Sequence, residues 1–285
     1  MIRFKSFTIN IRGRLTEISR PQVMAIINAT PDSFYAGSRT TPDEAARRVA
    51  KAIADGADMI DVGACSTRPG AEVPTAAEEI ERLRPVMAAI REAAPEIPVS
   101  VDTYRADVAR AAVSEMGADI INDVSGGLLD PDMIHAVANL RVPYILMHMR
   151  GTPATMQQFT DYPDGVTAGV ISELSPRIRA MRDAGIADII IDPGLGFAKT
   201  PEQNFTLLRD TPALIEAFGL PVLIGLSRKS MLTRTLGITP AEALEATVAA
   251  DTIAMMLGAA ILRVHDPLPC RQSVELFTRT FPLKP

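Results

Sequence analysis

The sequence has few of the residues that build several common kinds of site. Its only cysteines, Cys65 and Cys270, are far apart and lie in neither a CxxC pair nor a histidine-rich cluster. This pattern argues against a structural zinc site and against a disulfide framework. Lys and Arg number 29 against 34 Asp and Glu, a net charge of −5, and no basic tract occurs. We therefore expect neither nucleic acid nor an anionic membrane as a partner.

Long apolar segments are also lacking. No run approaches the roughly 18 residues that a membrane helix needs. The first 17 residues, MIRFKSFTINIRGRLTE, alternate and offer no apolar core of a signal peptide. A chain of 285 residues that is 47% hydrophobic and 22% charged can form a real core. We expect a cytoplasmic protein with no membrane partner.

The sequence marks where helices begin. Threonine followed three residues later by Glu or Gln is the capping box, in which side chain and backbone bond reciprocally. It occurs at four places, three of them with proline at the first helical position: Thr41, Thr75, Thr200 and Thr239. Asp130 before Pro131 predicts a fifth helix start. Glycines before the apolar runs predict the helix ends.

Eight short apolar runs predict strands, at 21–28, 59–64, 98–102, 118–124, 143–149, 188–194, 221–227 and 259–266. They are nearly continuous in Val, Ile, Leu and Met, as is typical of parallel strands buried on both faces. Helical patterns occupy the gaps, for example at 42–55, 75–93, 105–116 and 240–257. Within 1–285 the pattern predicts an α/β fold, a single (β/α)8 TIM barrel over 21–285 preceded by a short N-terminal β-hairpin at 1–18. The alternative is a doubly wound sheet, but NATPDSF is not the Gly-rich loop that such a sheet normally carries.

Polar residues stand at the end of every predicted strand. Active sites of such barrels lie at the C-terminal strand ends, so we expect one shared polar mouth. Its candidates are Asn28, Asp61, Asp102, Asn122, Asp123, His148, Arg150, Asp192, Lys199, Arg228, Lys229, Arg263, His265 and Asp266. Side-chain alternation puts Arg263 and His265 on one side of strand eight, and Ser227 with Lys229 on one side of strand seven if that strand runs so far.

The charges in this mouth are sorted. Cations come from Arg68 and from strands seven and eight, whereas hydrogen-bond acceptors come from strands three, four and six. This asymmetry predicts a ligand with a polar NH-rich ring and a phosphate-like end. Asp61 we interpret as structural, and His148 as lining the site.

The motifs NATPDSF, STRPG, SVDT, INDVSGG, MHMRGTP, DPGLGF.K, GLSRKS and RVHD resemble, in order and over nearly the whole chain, the dihydropteroate synthase family. The resemblance implies condensation of (7,8-dihydropterin-6-yl)methyl diphosphate with 4-aminobenzoate to give 7,8-dihydropteroate and diphosphate. It further implies an Mg²⁺ cofactor and makes the enzyme a sulfonamide target. Dimers are common in that family, so we expect a homodimer.

Carried over by motif, the resemblance implies roles for individual residues. Asp102, Asn122, Asp192 and Lys229 would hold the pterin. Asn28, Arg68, Arg263 and His265 would hold the diphosphate, with Mg²⁺ bound through Asn28. The aminobenzoate pocket would be shaped by Thr67, Arg68, Pro69, Phe197 and Ser230. The residues expected to act in catalysis are Arg68, Lys229, Arg263 and His265.

Two departures from the family pattern fall in loops. Tyr35 and Ala36 replace a Ser-Asp pair in the first loop, which questions the catalytic role of that loop. Cys65 replaces a carboxylate at the start of the second loop, although Thr67, Arg68 and Pro69 are kept.

Three other functions compete with the synthase. A methyltransferase acting on methyltetrahydrofolate would share the pterin-binding carboxylates and amides but would not need STRPG, SRKS or RVHD. A Schiff-base aldolase would use Lys229 as its nucleophile and would require a lowered lysine pKa. A non-catalytic pterin-binding paralogue would fit the altered first loop.

Overall fold

The computed structural model describes residues 4–29, 42–65 and 73–282. An antiparallel hairpin of β1 (Phe7–Ile11) and β2 (Arg14–Ile18) comes first. Eight parallel strands follow: β3 (Gln22–Asn28), β4 (Met59–Gly63), β5 (Val99–Asp102), β6 (Ile120–Asp123), β7 (Tyr144–Met147), β8 (Ile189–Asp192), β9 (Leu223–Ile224) and β10 (Ile261–Val264). Their order is β8-β7-β6-β5-β4-β3-β10-β9, and a parallel bridge between Ile191 and Val222 closes the ring. The predicted hairpin and TIM barrel are confirmed, and the doubly wound alternative is wrong.

Helices surround the barrel. They are α1 (Pro42–Ala54), α2 (Ala76–Ala93), α3 (Ala106–Met116), α4 (Met133–Leu140), α5 (Val166–Asp183), α6 (Pro201–Arg209), α7 (Thr211–Phe218), α8 (Ser230–Leu236), α9 (Leu244–Met256) and α10 (Pro267–Thr280). Among the residues that the structure describes, no helix is both long and apolar enough to cross a membrane.

The predicted helix starts have mixed outcomes. Complete capping boxes begin α2 at Thr75 and α6 at Thr200, as expected. The box at Thr239 begins only a 3₁₀ turn, and α9 starts later. The helix predicted after Asp130 is present but begins later, at Met133. Asp130 Oδ1 accepts from the backbone N–H of Asp132 at 3.0 Å, while its Oδ2 accepts from the backbone N–H of Ala106 at the start of α3. Thr41 lies outside the described residues.

Alternation along the strands separates two cores. Outward side chains of the strands pack against the helices in the main core. Inward side chains form an apolar layer near the N-terminal end of the barrel, made of Met24, Met59, Ile120, Ile145, Ile190, Leu223 and Ile261. Three hairpin isoleucines, Ile9, Ile11 and Ile18, belong to the same layer. The hairpin therefore closes the N-terminal end with apolar side chains.

An ion-pair cluster fixes the hairpin on the barrel. The turn residue Arg12 donates from Nε to Asp119 Oδ1 at 2.7 Å and from Nη1 to the Pro95 carbonyl at 2.6 Å. Arg91 of α2 donates to Asp119 Oδ2, also at 2.7 Å. With this end plugged, the space inside the barrel opens at the C-terminal ends of the strands.

Candidate active site

Polar side chains enter the barrel one alternation step beyond the apolar layer. Asp61 follows Met59 by two residues, Asn122 follows Ile120, Asp192 follows Ile190 and Arg263 follows Ile261, so each pair shares a face of its strand. Asp102, the last residue of β5, adds a second carboxylate that bonds Arg263. The same period that buries the apolar layer thus delivers a ring of polar groups above it.

Arg263 is the centre of one half of this ring. Its guanidinium donates to Asp61 Oδ2 from Nε at 2.7 Å and to Asp102 Oδ2 from Nη2 at 2.9 Å. Asn122 donates from Nδ2 to the same Asp61 oxygen at 3.2 Å. Asp61 therefore bonds to other strands from inside the mouth, but these are β10 and β6, which are not the neighbours of β4 in the sheet. Its other oxygen, Oδ1, is buried without a hydrogen-bond partner in the described part of the chain.

The electrostatics of this half keep the arginine charged. Burial opposes charge on Arg263, but the carboxylates of Asp61 and Asp102 hold its pKa above the ordinary value. Burial raises the pKa of Asp102 to about 7, against the pull of Arg263 and with a further push from Asp61. Near neutral pH this carboxyl can therefore exist in either protonation state, and a polar ligand would decide which one it takes.

Asp192 and Lys229 form the other half. Asp192 is only 6% exposed, and its Oδ1 accepts from the Gly194 backbone N–H at 2.8 Å. Lys229 donates to the Leu195 carbonyl at 2.5 Å, and its Nζ lies 5.0 Å from the centre of the Phe197 ring. Burial raises the pKa of Asp192, while burial lowers the pKa of Lys229 to about 8; each charge partly offsets the effect on the other. Asp192 Oδ2 and two of the ammonium hydrogens lie outside these bonds.

The rim carries Asn28 and His265. Ser227 Oγ accepts from the backbone N–H of His265 at 3.2 Å and lies 3.1 Å from its Nδ1. Partial burial and the charge of Arg263 lower the pKa of His265 to about 4. Asn28 and His265 line a groove of about 310 Å³ that also reaches Arg48 and Lys51 of α1. The prediction that alternation continues along strand seven to Lys229 is wrong, since β9 ends at Ile224 and Arg228 has a positive φ of 55°.

The prediction of one mouth fed by all eight strand ends is also wrong. Several of its candidates lie outside the barrel or bond away from it: Asp123, His148, Arg150, Lys199, Arg228 and Asp266. Asp123 follows Asn122 by one residue and so points the other way, accepting from the Tyr144 hydroxyl at 2.6 Å. His148 bonds Glu173 of α5, and Arg228 pairs with Asp266. Strand β7 gives the interior an apolar residue, Met147, and the parity of each position was the signal that could have separated the two sets.

The structure describes only some of the remaining residues that were predicted for the site. Thr67, Arg68 and Pro69 lie outside the described residues, as do Tyr35 and Ala36. Ser230 is the first residue of α8 and is exposed. Cys65 is half-buried, and its pKa is raised by burial and by the charge of Glu79. Of the residues expected around aminobenzoate, the structure therefore describes only Phe197 and Ser230.

The groups that could hold Mg²⁺ are few. Within 4–29, 42–65 and 73–282, no cluster of three or more His, Cys, Asp or Glu residues is arranged to hold a metal ion. Asn28 is half-exposed at the rim, and no hydrogen bond to its side chain occurs among the described residues. Mg²⁺ is usually held by one or two protein oxygens together with substrate phosphates and water. The Asn28 amide oxygen fits a metal that enters with a phosphate group, and does not fit an all-protein cage.

Known proteins similar to this chain have the same architecture. Residues 24–265 match the sequence pattern of the family described as pterin binding enzymes. A dihydropteroate synthase of Synechocystis sp. is 44% identical over 255 residues, which is 87% of this chain and 86% of the relative.

Two solved structures extend the comparison. The dihydropteroate synthase of Xanthomonas albilineans with 4-aminobenzoic acid superposes with a TM-score of 0.89 at 39% identity, covering 98% of this chain and 100% of that one. The Yersinia pestis dihydropteroate synthase with a sulfonamide drug also has a TM-score of 0.89, at 36% identity, covering 96% and 99%.

Proposed function

The chain belongs to the dihydropteroate synthases within the pterin-binding enzyme family, and from this membership we propose how its barrel mouth performs the reaction. The enzyme is a transferase of folate biosynthesis that condenses (7,8-dihydropterin-6-yl)methyl diphosphate with 4-aminobenzoate, giving 7,8-dihydropteroate and diphosphate. The observation that carries the residue assignment is the spare bonding capacity of the mouth. Asp192, Lys229 and Asn122 each retain atoms that no group in the described part of the chain uses.

The pterin lies against Asp192. Its amidine-like N–H edge donates to the free Oδ2, a charge-assisted bond stronger than one between neutral groups. Gly194 holds the other carboxylate oxygen, so the acceptor is already oriented. Asn122 donates one amide hydrogen to Asp61, and its amide oxygen can accept a hydrogen bond from the pterin ring. The Lys229 ammonium and Asp102 complete the pterin site.

The diphosphate lies toward the rim, between Asn28, Arg68, Arg263 and His265. Arg263 uses Nε and Nη2 on the carboxylates of Asp61 and Asp102, so Nη1 is the donor that remains for the phosphate. When bound through the Asn28 oxygen, Mg²⁺ would supply positive charge to the departing diphosphate. Anionic diphosphate beside His265 would raise the pKa of that ring and so favour its cationic form.

The aminobenzoate ring lies against Phe197 and Ser230, and the family motif assigns Thr67, Arg68 and Pro69 to the same substrate. This places the aniline nitrogen next to the pterin methylene. The C–O bond to diphosphate breaks, and diphosphate leaves with the electron pair. The electron-rich pterin ring spreads the positive charge left on the methylene.

The second half of the reaction forms the C–N bond. The aniline nitrogen donates its lone pair to the methylene carbon and then loses one proton to solvent or to the departing diphosphate. A strong general base is not required, because the nitrogen becomes acidic once the bond has formed. Stabilising the negative charge that develops on the leaving group is the main contribution of Arg263 and the other cations.

One assay separates the synthase from its rivals. Purified protein is incubated with the pterin diphosphate, 4-aminobenzoate and Mg²⁺, and diphosphate release is measured. Release that depends on 4-aminobenzoate supports the proposal. Tight pterin binding without release of diphosphate would support a non-catalytic paralogue, the function that Tyr35 and Ala36 in the first loop favour. Borohydride trapping of a carbonyl adduct on Lys229 would instead support an aldolase, for which the lowered lysine pKa is also suited.

The assembly and the inhibitor follow as further proposals. α9 packs against α10, and both expose apolar side chains: Ile253 and Met256 on α9, Leu268 and Leu276 on α10. We propose that these helices contribute to a homodimer, which sedimentation measurements would test. The Yersinia pestis relative was solved in complex with a sulfonamide drug, so we propose that sulfonamides inhibit this enzyme. We also propose that the enzyme works in the cytoplasm.

A further inference from the structure

A chain of polar groups, buried at Lys199 and His148 and partly buried beyond them, lies outside the barrel, between β7, the β8–α6 loop (residues 193–200) and α5. We call it the α5 chain and define it as Lys199, His148, Glu173 and Arg150. We propose that the α5 chain holds the β8–α6 loop in shape, and that Lys199 is a positioning residue for Lys229 and Phe197. The inference rests on the roles proposed above for those two residues.

Lys199 is bonded on every side. It is 3% exposed, and its Nζ donates to the carbonyls of Gly194 at 3.0 Å and Phe197 at 2.8 Å. The third contact joins Nζ to His148 Nδ1 at 3.0 Å. A lysine ammonium has three hydrogens and accepts none, so three acceptors satisfy it completely. Two of these acceptors belong to the loop, and the third anchors the loop to the end of β7.

The contact with Lys199 fixes the state of His148. Because the ammonium only donates, Nδ1 must accept, and the hydrogen of the neutral ring therefore lies on Nε2. That nitrogen is 3.1 Å from Glu173 Oε2, to which it donates. Burial lowers the pKa of His148 to about 4, so the ring is neutral at pH 7.

The far end of the α5 chain is anchored by two charged groups. The hydrogen bond from His148 and those from Arg150 lower the pKa of Glu173 to about 2. Arg150 donates from Nε to Glu173 Oε1 at 2.9 Å, and its guanidinium lies 3.8 Å from the centre of the Tyr162 ring. Hydrogen bonds thus run from Lys199 through His148 to Glu173, and Arg150 donates to the same carboxylate from the other end.

The loop itself has a backbone that needs such support. Gly194, Gly196 and Ala198 have φ angles of 69°, 86° and 52°, so every second residue is left-handed. A Cβ on Gly194 would come within 2.0 Å of the His148 carbonyl oxygen. Unfavourable backbone conformations persist where surrounding contacts impose them. The three bonds of Lys199 are the contacts that tie this loop together.

The proposed pterin and aminobenzoate sites depend on the same loop. Its Gly194 N–H orients Asp192, and its Leu195 carbonyl accepts from Lys229 at 2.5 Å. The Phe197 ring faces the Lys229 ammonium at 5.0 Å. Without the donors of Lys199, two loop carbonyls would have to turn toward water, and these contacts would move with them.

The protonation of Lys199 adds a pH dependence. Burial lowers its pKa to about 7; Asp192 and Glu173 raise it, while Lys229 and Arg150 lower it, and neutral His148 completes its surroundings. A neutral amine has two hydrogens for three acceptors, so one of the three ties is lost. We therefore expect the loop to loosen as pH rises through about 7.

The test compares Lys199→Met with wild type and with Lys5→Met, which changes an exposed lysine at the opposite end of the barrel. We expect Lys199→Met to raise the KM for both substrates at least tenfold while kcat changes less than threefold. Hydrogen exchange of peptides covering 193–200 should be at least tenfold faster, with exchange in β3 to β6 unchanged. Wild-type exchange of the same peptides should accelerate between pH 6 and 8 beyond the intrinsic rate, and this extra step should vanish in Lys199→Met.

His148→Phe removes the third acceptor together with the donor to Glu173, keeps both loop carbonyls for Lys199, and serves if Lys199→Met does not fold. It should give a smaller increase in loop exchange, and the double variant should be no worse than Lys199→Met alone. Folded Lys199→Met with wild-type KM values and wild-type loop exchange would overturn the proposal. The exchange experiment needs no substrate, so it stands even if wild type fails to release diphosphate, an outcome that would refute only the proposed function.

Discussion

Two buried aspartates at strand ends, Asp192 and Asp123, have opposite surroundings. Asp123 faces outward and accepts from the Tyr144 hydroxyl, the Ser125 N–H and hydroxyl and the Gly127 N–H, at 2.6 to 2.8 Å. Asp192 faces inward and accepts within the described residues only from the Gly194 N–H. Burial raises the pKa of both. The outward carboxylate is saturated by its own protein, whereas the inward one retains an oxygen for a ligand.

The same difference separates the mouth, which contains Asp192, from the α5 chain outside the barrel. In the mouth, Asp61 Oδ1 has no partner in the described part of the chain, and Lys229 uses one hydrogen of three. In the α5 chain, Lys199 uses all three. Because buried polar groups are normally hydrogen-bonded, spare capacity marks the place where something else binds. Buried polar residues occur both in the mouth and in the α5 chain, so burial alone does not distinguish a binding site from a structural cluster.

The largest effect is expected from Arg263→Met. This change removes the cation between Asp61 and Asp102 and leaves two carboxylates together in a buried site. Breaking one side of a buried ion pair typically costs about 3–5 kcal/mol. We expect a loss of that size in the free energy of unfolding by urea, and at least a thousandfold loss in kcat/KM.

Arg150→Met is the matched change outside the barrel. Its partner Glu173 has a side chain that is 30% exposed, so water can replace the lost bonds. We expect a loss of about 1 kcal/mol, as for other solvent-accessible pairs. Equal losses for the two arginines would refute the distinction between the mouth and the α5 chain.

Asp192→Asn and Asp123→Asn test the two carboxylates directly. The first keeps the shape of the side chain but replaces a charged acceptor of the pterin, and should weaken pterin binding about 100-fold, or about 2.7 kcal/mol. The second should leave pterin affinity within about twofold but lower the unfolding free energy, since an amide cannot accept all four bonds. Calorimetric titration with a pterin measures the first effect. A reversed pattern would mean that the assignment of inward and outward faces is wrong.

The sequence was sufficient for the barrel and for part of the mouth. The eight strands could be predicted because each apolar run is bounded by strong capping and glycine signals, as at Thr75 and Thr200. Asn122 and Asp192 could be predicted from strand-end position. Asp123 and His148 could not be excluded without following the parity of each strand from its inward apolar residue.

Other features depend on contacts between distant segments. Strand-end position predicts Lys199 in the mouth, and only the folded loop shows the three acceptors around it outside the barrel. Asp130 accepts from the N–H of Asp132 beside its own helix and also from the N–H of Ala106, which belongs to a different one. β9 ends early, at Ile224, and the chain then turns through the left-handed backbone of Arg228. The Arg228 guanidinium bonds Asp266 and the carbonyls of Pro240 and Ala241. Local sequence patterns carry no information on such long-range partners.

A third aspartate, Asp251 on α9, resembles neither of the other two. It is 1% exposed, its Oδ2 has no hydrogen-bond partner among the described residues, and burial raises its pKa to about 8. Its folded pKa is above the unfolded value near 4, so the stability linked to its proton is complete below pH 4 and lost as pH rises to 8. Asp251→Asn should remove this decline and raise the unfolding free energy at pH 8 by about 1–3 kcal/mol.

Urea denaturation at pH 5 and pH 8 measures the effect of Asp251→Asn. The gain should be larger at pH 8, whereas Asp123→Asn should lose stability at both pH values. If Asp251→Asn destabilised the protein at pH 8, a partner for this carboxylate would have to exist.

The smallest effect is expected at Ala198, the left-handed alanine of the β8–α6 loop. Ala198→Gly relieves about 1 kcal/mol of backbone strain. The same change increases the entropy of the unfolded chain, which lowers stability by about 0.4–1 kcal/mol. It also removes a buried methyl group, which lowers stability by about 0.8 kcal/mol. These terms nearly cancel, so thermal unfolding should show a net change within about 1 kcal/mol. In Ala198→Gly, the amide hydrogens of residues 193–200 should exchange faster although the stability of the protein hardly changes. This outcome is expected because the loop is held by Lys199 and by the packing around residue 198, and not by the backbone preference of that residue. A gain well above 1 kcal/mol would instead show that the loop is strained against those contacts.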